Sequence, residues 1–99
     1  MKPLSERELR LAIHMTHNCS ATKLLATYNL TIPGYTSDTE VFLFAVHDHP
    51  TATRCFVWQE HFNKITSAIA VLCSDEIETA SDAVRRHFNS EHTILSKLN

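Results

Sequence analysis

The chain has 99 residues, of which 43% are hydrophobic and 20% charged, and its formal net charge at pH 7 is −2. This length fits one domain, residues 1–99, and the composition excludes a disordered chain. The lysines and arginines are scattered, with Arg85 and Arg86 the one adjacent pair; we therefore expect no nucleic-acid partner. The longest apolar runs, Val41–Val46 and Ala68–Cys73, are far below the roughly 20 residues that span a bilayer, so we expect no membrane partner.

The cysteines and the N-terminus indicate a cytoplasmic protein. Cys19, Cys55 and Cys73 are odd in number, widely spaced and never in a C-x-x-C pair, which is typical of free thiols in a reducing compartment. The opening MKPLSERELRLA is charged where an export signal would be apolar.

The first predicted element is a helix over residues 6–17. Ser5 and Glu8 have the spacing of a capping box, in which each side chain binds the other's backbone N–H. Leu9, Ala12, Ile13 and Thr16 then recur at helical spacing and form its buried stripe.

Four strands are predicted after this helix. The segment KLLATYNLTIP alternates apolar and polar residues, an alternation broken only by Leu25, and predicts a half-buried strand. Residues 41–47, 54–60 and 65–73 are apolar on both sides and predict three further strands. The six residues DHPTAT between the second and third contain a proline and small polar residues, which fits a hairpin loop.

A last helix is predicted over residues 80–88, with Thr79 as its N-cap and Ala80, Ala83, Val84, His87 and Phe88 on its inner stripe. The acidic residues around its start are explained by the positive end of the helix dipole. The segment EHTILSKLN predicts a further short turn of helix that uses Ile94, Leu95 and Leu98.

The predicted fold is α+β: a small antiparallel sheet of about four strands, flanked by an N-terminal and a C-terminal helix in the order α-β-β-β-β-α. We expect both helices on one face of the sheet. Strands that are apolar on both sides need cover on both faces, so the other face would be covered by a protein partner or a second copy of the chain, as a homodimer.

These strands supply the predicted interaction surface. Phe42, Phe44 and Val46 share one face of the second strand, and Phe56 and Trp58 share a face of the third. Aromatic side chains are enriched at interface hot spots, although core packing is the simpler explanation for each of them taken singly.

The alternative hypothesis is a metal- or small-ligand-binding site in the histidine-rich hairpin. His47 and His49 have the His-x-His spacing used for zinc or another transition metal, with Cys55 and His61 as further ligands. The simpler interpretation is a hairpin loop with solvated imidazoles. His14 and His17, three apart on the first helix, are a weaker pair. The seven histidines also permit pH sensing, which predicts a change of association between about pH 5 and 7.

No enzyme is indicated. A single glycine, Gly34, excludes phosphate-binding loops, dinucleotide fingerprints and the Gly-x-Ser-x-Gly motif. The order of helix, strands and helix is similar to that of a double-stranded-RNA-binding domain, but the lysine-rich start of its last helix is replaced here by EIETASDAVRR. We therefore carry over no residue role. The leading hypothesis is a small interaction module that self-associates or docks through its sheet, a class that includes adaptors, inhibitors and accessory proteins of phages or mobile elements.

Overall fold

The order of elements agrees with the sequence prediction. The computed structural model describes residues 5–33, 35, 38–62 and 65–88. Its elements are α1 (Glu6–His17), β1 (Thr22–Leu30), β2 (Thr39–Val46), β3 (Arg54–Phe62) and β4 (Ile65–Cys73), followed by a helix, α2, that begins at residue 80 and is described as far as residue 88. The α+β class and the order α-β-β-β-β-α are confirmed. The turn predicted over residues 94–98 lies outside the described residues.

The ends of α1 form as its sequence predicts. Ser5 Oγ accepts a hydrogen bond from the Glu8 N–H at 3.3 Å, and Glu8 Oε1 accepts one from the Ser5 N–H at 3.3 Å. At the other end Asn18 takes the left-handed conformation (φ 58°), and its N–H donates to the His14 carbonyl at 2.8 Å. Asparagine tolerates this conformation better than most residues, so the helix stops here.

The start of α2 has a second reciprocal cap. Asp82 N–H donates to Thr79 Oγ1, and Thr79 N–H donates to Asp82 Oδ2, both at 3.2 Å. The bond from the Thr79 N–H lowers the pKa of the Asp82 carboxyl, because it stabilises the charged form. Glu78 forms an ion pair with Arg86 at 2.7 Å, so two of the clustered acidic residues stabilise the helix directly.

The sheet is an antiparallel meander. Its strand order is β1-β2-β3-β4, so β1 and β4 are the two edges. The register is regular between β2, β3 and β4. In β1 the register shifts between Leu24 and Ala26, which leaves Leu25 as a bulge. The break in alternation at Leu25 in the sequence is the trace of this bulge.

The helices cover opposite faces of the sheet, which corrects the expectation that both lie on one face. Leu9 and Ile13 of α1 pack against one face, and that core contains Phe44, Val46 and Val57. Ala80, Ala83 and Val84 of α2 pack against the other, and that core contains Leu43, Phe56 and Trp58. Because neighbouring residues of a strand point to opposite faces, the apolar residues of β2 and β3 fill two cores within one chain.

Both faces should therefore contribute to the stability of the isolated chain. Phe44 and Phe56 are each 0% exposed, so we expect Phe44→Ala and Phe56→Ala each to lower the free energy of unfolding by about 3–5 kcal/mol. Urea denaturation measures both. The control, Leu11→Ala on an exposed position of α1, should change stability by no more than about 0.5 kcal/mol. A phenylalanine variant as mild as this control would contradict the two-core fold.

Candidate functional site

Asp48 of the histidine-rich hairpin ties two loops together. Its Oδ2 accepts hydrogen bonds from the backbone N–H groups of Ser20, at 2.8 Å, and Ala21, at 3.1 Å. These bonds lower the pKa of the Asp48 carboxyl because they stabilise its charged form. His47 N–H donates to the Ala21 carbonyl at 2.9 Å beside them. The hairpin thereby holds the connection between α1 and β1.

His49 closes the hairpin loop. Its Nδ1 accepts hydrogen bonds from the N–H groups of Thr51, at 3.1 Å, and Ala52, at 2.8 Å. Nδ1 therefore carries the lone pair and Nε2 the proton, the tautomer that these two donors require. A metal at Nδ1 would have to replace both bonds.

The candidate metal ligands are not brought together. Cys55 is fully buried in the α1 core, where burial raises the pKa of its thiol to about 12, whereas His47 is exposed on the loop. The side chain of His61 lies outside the described part of the chain. Across residues 5–33, 35, 38–62 and 65–88, no group of three or more His, Cys, Asp or Glu side chains is placed to hold a metal ion.

Four of the five residues predicted as an interaction surface are core residues, which corrects their placement. Phe44 and Val46 lie in the α1 core and Phe56 and Trp58 in the α2 core, with at most 4% of each residue exposed. Phe42 is half-buried at the margin of the α1 core. The two helices of the same chain provide the cover that these strands need, so any interaction surface involves other residues.

Two outward carbonyls at the β4 edge are bound by side chains, one from each helix. The Cys73 carbonyl accepts from the Thr53 N–H and so points toward β3. Carbonyl directions alternate along a strand, so those of Ala70 and Leu72 point outward. His17 of α1 donates from Nε2 to the Ala70 carbonyl at 2.7 Å, and Arg86 of α2 donates to the Leu72 carbonyl at 2.9 Å.

The opposite edge, β1, differs. The Val46 N–H donates to the Thr53 carbonyl, so the backbone groups of Val46 point toward β3. Because these directions alternate along a strand, the backbone groups of Val41 point toward β1. Val41 is the register partner of Tyr28, so the backbone groups of Tyr28 bind β2. The backbone N–H and C=O groups of its two neighbours, Thr27 and Asn29, therefore point away from β2, outward at the edge of the sheet.

Within the described ranges, β1 has no side-chain contacts like those at β4. Within the described residues, no hydrogen bond reaches the outward backbone groups of Thr27 or Asn29, and both residues are exposed. Lys23 and the bulge at Leu25 precede them, and both features oppose strand addition. The five residues from Ala26 to Leu30 carry no charge, no proline and no bulge. This part of the edge is open for pairing.

A groove lies on the α2 face between β1 and the segment from Glu76 to Phe88, and residues of β2 and β3 also line it. It consists of three cavities of 490, 440 and 580 Å³. The first two share Arg54 and Glu76 as lining residues, and the last two share Leu30 and Ser81, so the cavities adjoin. We call this feature the β1 groove.

Exposed apolar side chains border the groove. Leu25 is 52% exposed, Tyr28 42% and Ile77 84%. Leu25 and Tyr28 are contributed by β1, and Ile77 by the loop opposite. Arg54 fixes that loop, because its guanidinium donates to the carbonyls of Glu76 and Glu78 and lies over the Phe56 ring. Apolar side chains at the margin of a cleft are typical of protein contact sites.

The contacts of the hairpin predict different effects for its two histidines. His49→Ala removes the acceptor of two N–H groups and should lower the free energy of unfolding by about 1 kcal/mol, whereas His47→Ala should have little effect. Urea denaturation in the presence of a chelator measures both. A zinc site would instead give equal losses of bound metal, by mass spectrometry, in the two variants.

The pKa of Asp48 predicts a pH dependence. Since folding lowers this pKa, the contribution of Asp48 to stability is complete above its ordinary value and is lost as the pH falls through the lower folded value. We expect Asp48→Asn to lower the urea midpoint at pH 7, and the gap from wild type to close as the pH falls below the ordinary pKa range of aspartate. Glu40→Gln, at an exposed carboxylate of β2, is the control. A gap that does not change with pH would contradict the role of these bonds.

Comparisons with known proteins identify no family for this chain. No family model, no curated protein and no solved structure matches the chain. Within the described residues, no helix combines the length and the apolar character needed to cross a membrane.

Proposed function

We propose that this chain is a small protein-interaction module that binds a protein partner by accepting an extended strand at the open edge of β1. The observation that carries the proposal is the difference between the two edges of the sheet. Two helices each contribute a side chain that binds an outward carbonyl of β4, while Thr27 and Asn29 present backbone donors and acceptors outward at β1. An added strand satisfies such groups directly.

The β1 groove supports the same proposal. Side chains of an added strand alternate between the two faces of the sheet. Those on the α2 face would lie next to Leu25 and Tyr28 at the margin of the groove, and those on the α1 face would lie next to the exposed Thr27 and Asn29. The expected partner segment is therefore extended and carries apolar residues at alternate positions. The backbone would supply most of the affinity and the groove the selectivity.

The cellular setting is part of this proposal. Cys19, Cys55 and Cys73 are all free and buried, which fits a cytoplasmic protein in a reducing environment. Adaptors and inhibitors both use strand addition, so the edge fits either role. The metal-binding alternative has no specific observation in its favour, since Asp48 binds the backbone between α1 and β1 and His49 binds the backbone of the hairpin loop.

Position-specific photo-crosslinking in the source cell tests the proposal. A benzophenone amino acid at position 25 should give a protein adduct, whereas the same group at position 15, on the exposed side of α1, should not. Thr27→Pro removes an outward N–H without changing the bonds to β2, as proline is tolerated at a strand edge. We expect this variant to lose the adduct at least tenfold.

Thr27→Val is the matched control, because it keeps the N–H and favours the strand. It should retain the adduct, and circular dichroism should show both variants folded. Equal adducts from Thr27→Pro and Thr27→Val would show that the outward backbone of β1 is not used, and the proposal would fail.

A further inference from the structure

We propose that the strand bound at β1 is β1 of a second copy of this chain, in an antiparallel pair whose two-fold axis passes through Tyr28. This inference rests on the proposed function and names its partner. It follows from the symmetry of the open part of the edge, where an isologous contact requires the surface to be its own complement.

The open segment has its centre at Tyr28. The bulge at Leu25 ends the straight part of β1, which runs in regular register with β2 from Ala26 to Leu30. Because Tyr28 binds β2 through its backbone, it occupies a non-hydrogen-bonded position toward an added strand. Thr27 and Asn29 occupy the hydrogen-bonded positions. An axis at Tyr28 therefore pairs the whole straight segment of each copy and leaves the Leu25 bulge of each copy outside the contact.

The resulting backbone pairs are complementary. Thr27 of one copy lies opposite Asn29 of the other, and each such pair exchanges two N–H to carbonyl bonds. The axis creates this pair twice, which gives four intermolecular hydrogen bonds. All four use groups that point outward in the single chain.

The side chains are also complementary. A two-fold axis perpendicular to the sheet keeps each face of one copy next to the same face of the other. On the α2 face, the small Ala26 meets the larger Leu30 of the second copy, and the two Tyr28 rings meet at the axis at a distance favourable for aromatic pairs. On the α1 face, polar Thr27 meets polar Asn29. Apolar residues thus meet apolar ones, and polar residues meet polar ones.

The β1 grooves of the two copies then lie side by side. Tyr28, which is 42% exposed in the single chain, would be covered by its counterpart, and the sheet would become continuous over eight strands. The contact is confined to five residues of each chain, which predicts a reversible dimer at micromolar concentrations and not a permanent one.

Charge exchange at the axis tests this register. Tyr28→Lys places two ammonium groups opposite each other in a homodimer, and Tyr28→Glu places two carboxylates, so each variant alone should dimerise at least tenfold more weakly than wild type. An equimolar mixture of the two should regain the dimer as a heterodimer. Native mass spectrometry distinguishes these species by mass, and sedimentation velocity measures their affinity.

The control pair is Met15→Lys and Met15→Glu, at an exposed position of α1 outside the proposed contact; both should dimerise like wild type. A wild type that stays monomeric at about 100 µM would overturn the inference, as would Tyr28 variants that dimerise normally or a mixture that does not recover. The proposed function has its own readout. A Thr27→Pro-sensitive adduct to a different protein would remove the second copy as the partner and leave strand addition at β1 intact.

Discussion

The structure depends on the need to cover two strands that are apolar on both sides. β2 and β3 contribute large side chains to both faces of the sheet, and Phe44, Phe56 and Trp58 are fully buried. One helix on each face meets this need within 99 residues. The arrangement places the two described helices above and below the central strands, so the contacts left to a partner are at the margins of the sheet.

The two edges of the sheet differ in their contacts with the helices. α1 and α2 each send a side chain around the β4 edge, His17 from one face and Arg86 from the other. Neither contact has a counterpart recorded at β1 among the described residues. Edge strands of natural proteins are usually protected, because an open edge pairs with other chains. An edge left open beside a groove is therefore a better candidate for function than either of the buried faces.

Much of the fold could be predicted from local signals. Ser5 and Glu8 mark the start of α1, and Thr79 marks the start of α2, because capping residues act on backbone groups within one turn. The apolar runs mark β2 to β4. The face that each helix covers could not be predicted, since it depends on how the connections cross the sheet and not on the periodicity of any element.

The candidate site was harder to predict for the same reason. Phe56 and Trp58 are of residue types common at interfaces, but they lie in a core. Only the position of α2, which packs against them, shows which of the two roles they have. The spacing of the histidines in the hairpin is typical of metal ligands, but Asp48 and His49 accept hydrogen bonds from backbone N–H groups. At β1 the sequence signals only the bulge, because Leu25 interrupts the alternation of apolar and polar residues. Which edge of the sheet is open depends on contacts between residues distant in sequence.

The covering of β4 has a consequence for how far assembly can proceed. A chain with two open edges could add strands at both ends and grow into a fibre, whereas a chain with one open edge stops at two copies. His17 and Arg86 hold two outward carbonyls of β4 and would therefore oppose strand addition there, and detachment of either helix would do more than weaken the core. It would convert a unit that closes after one contact into one that can polymerise.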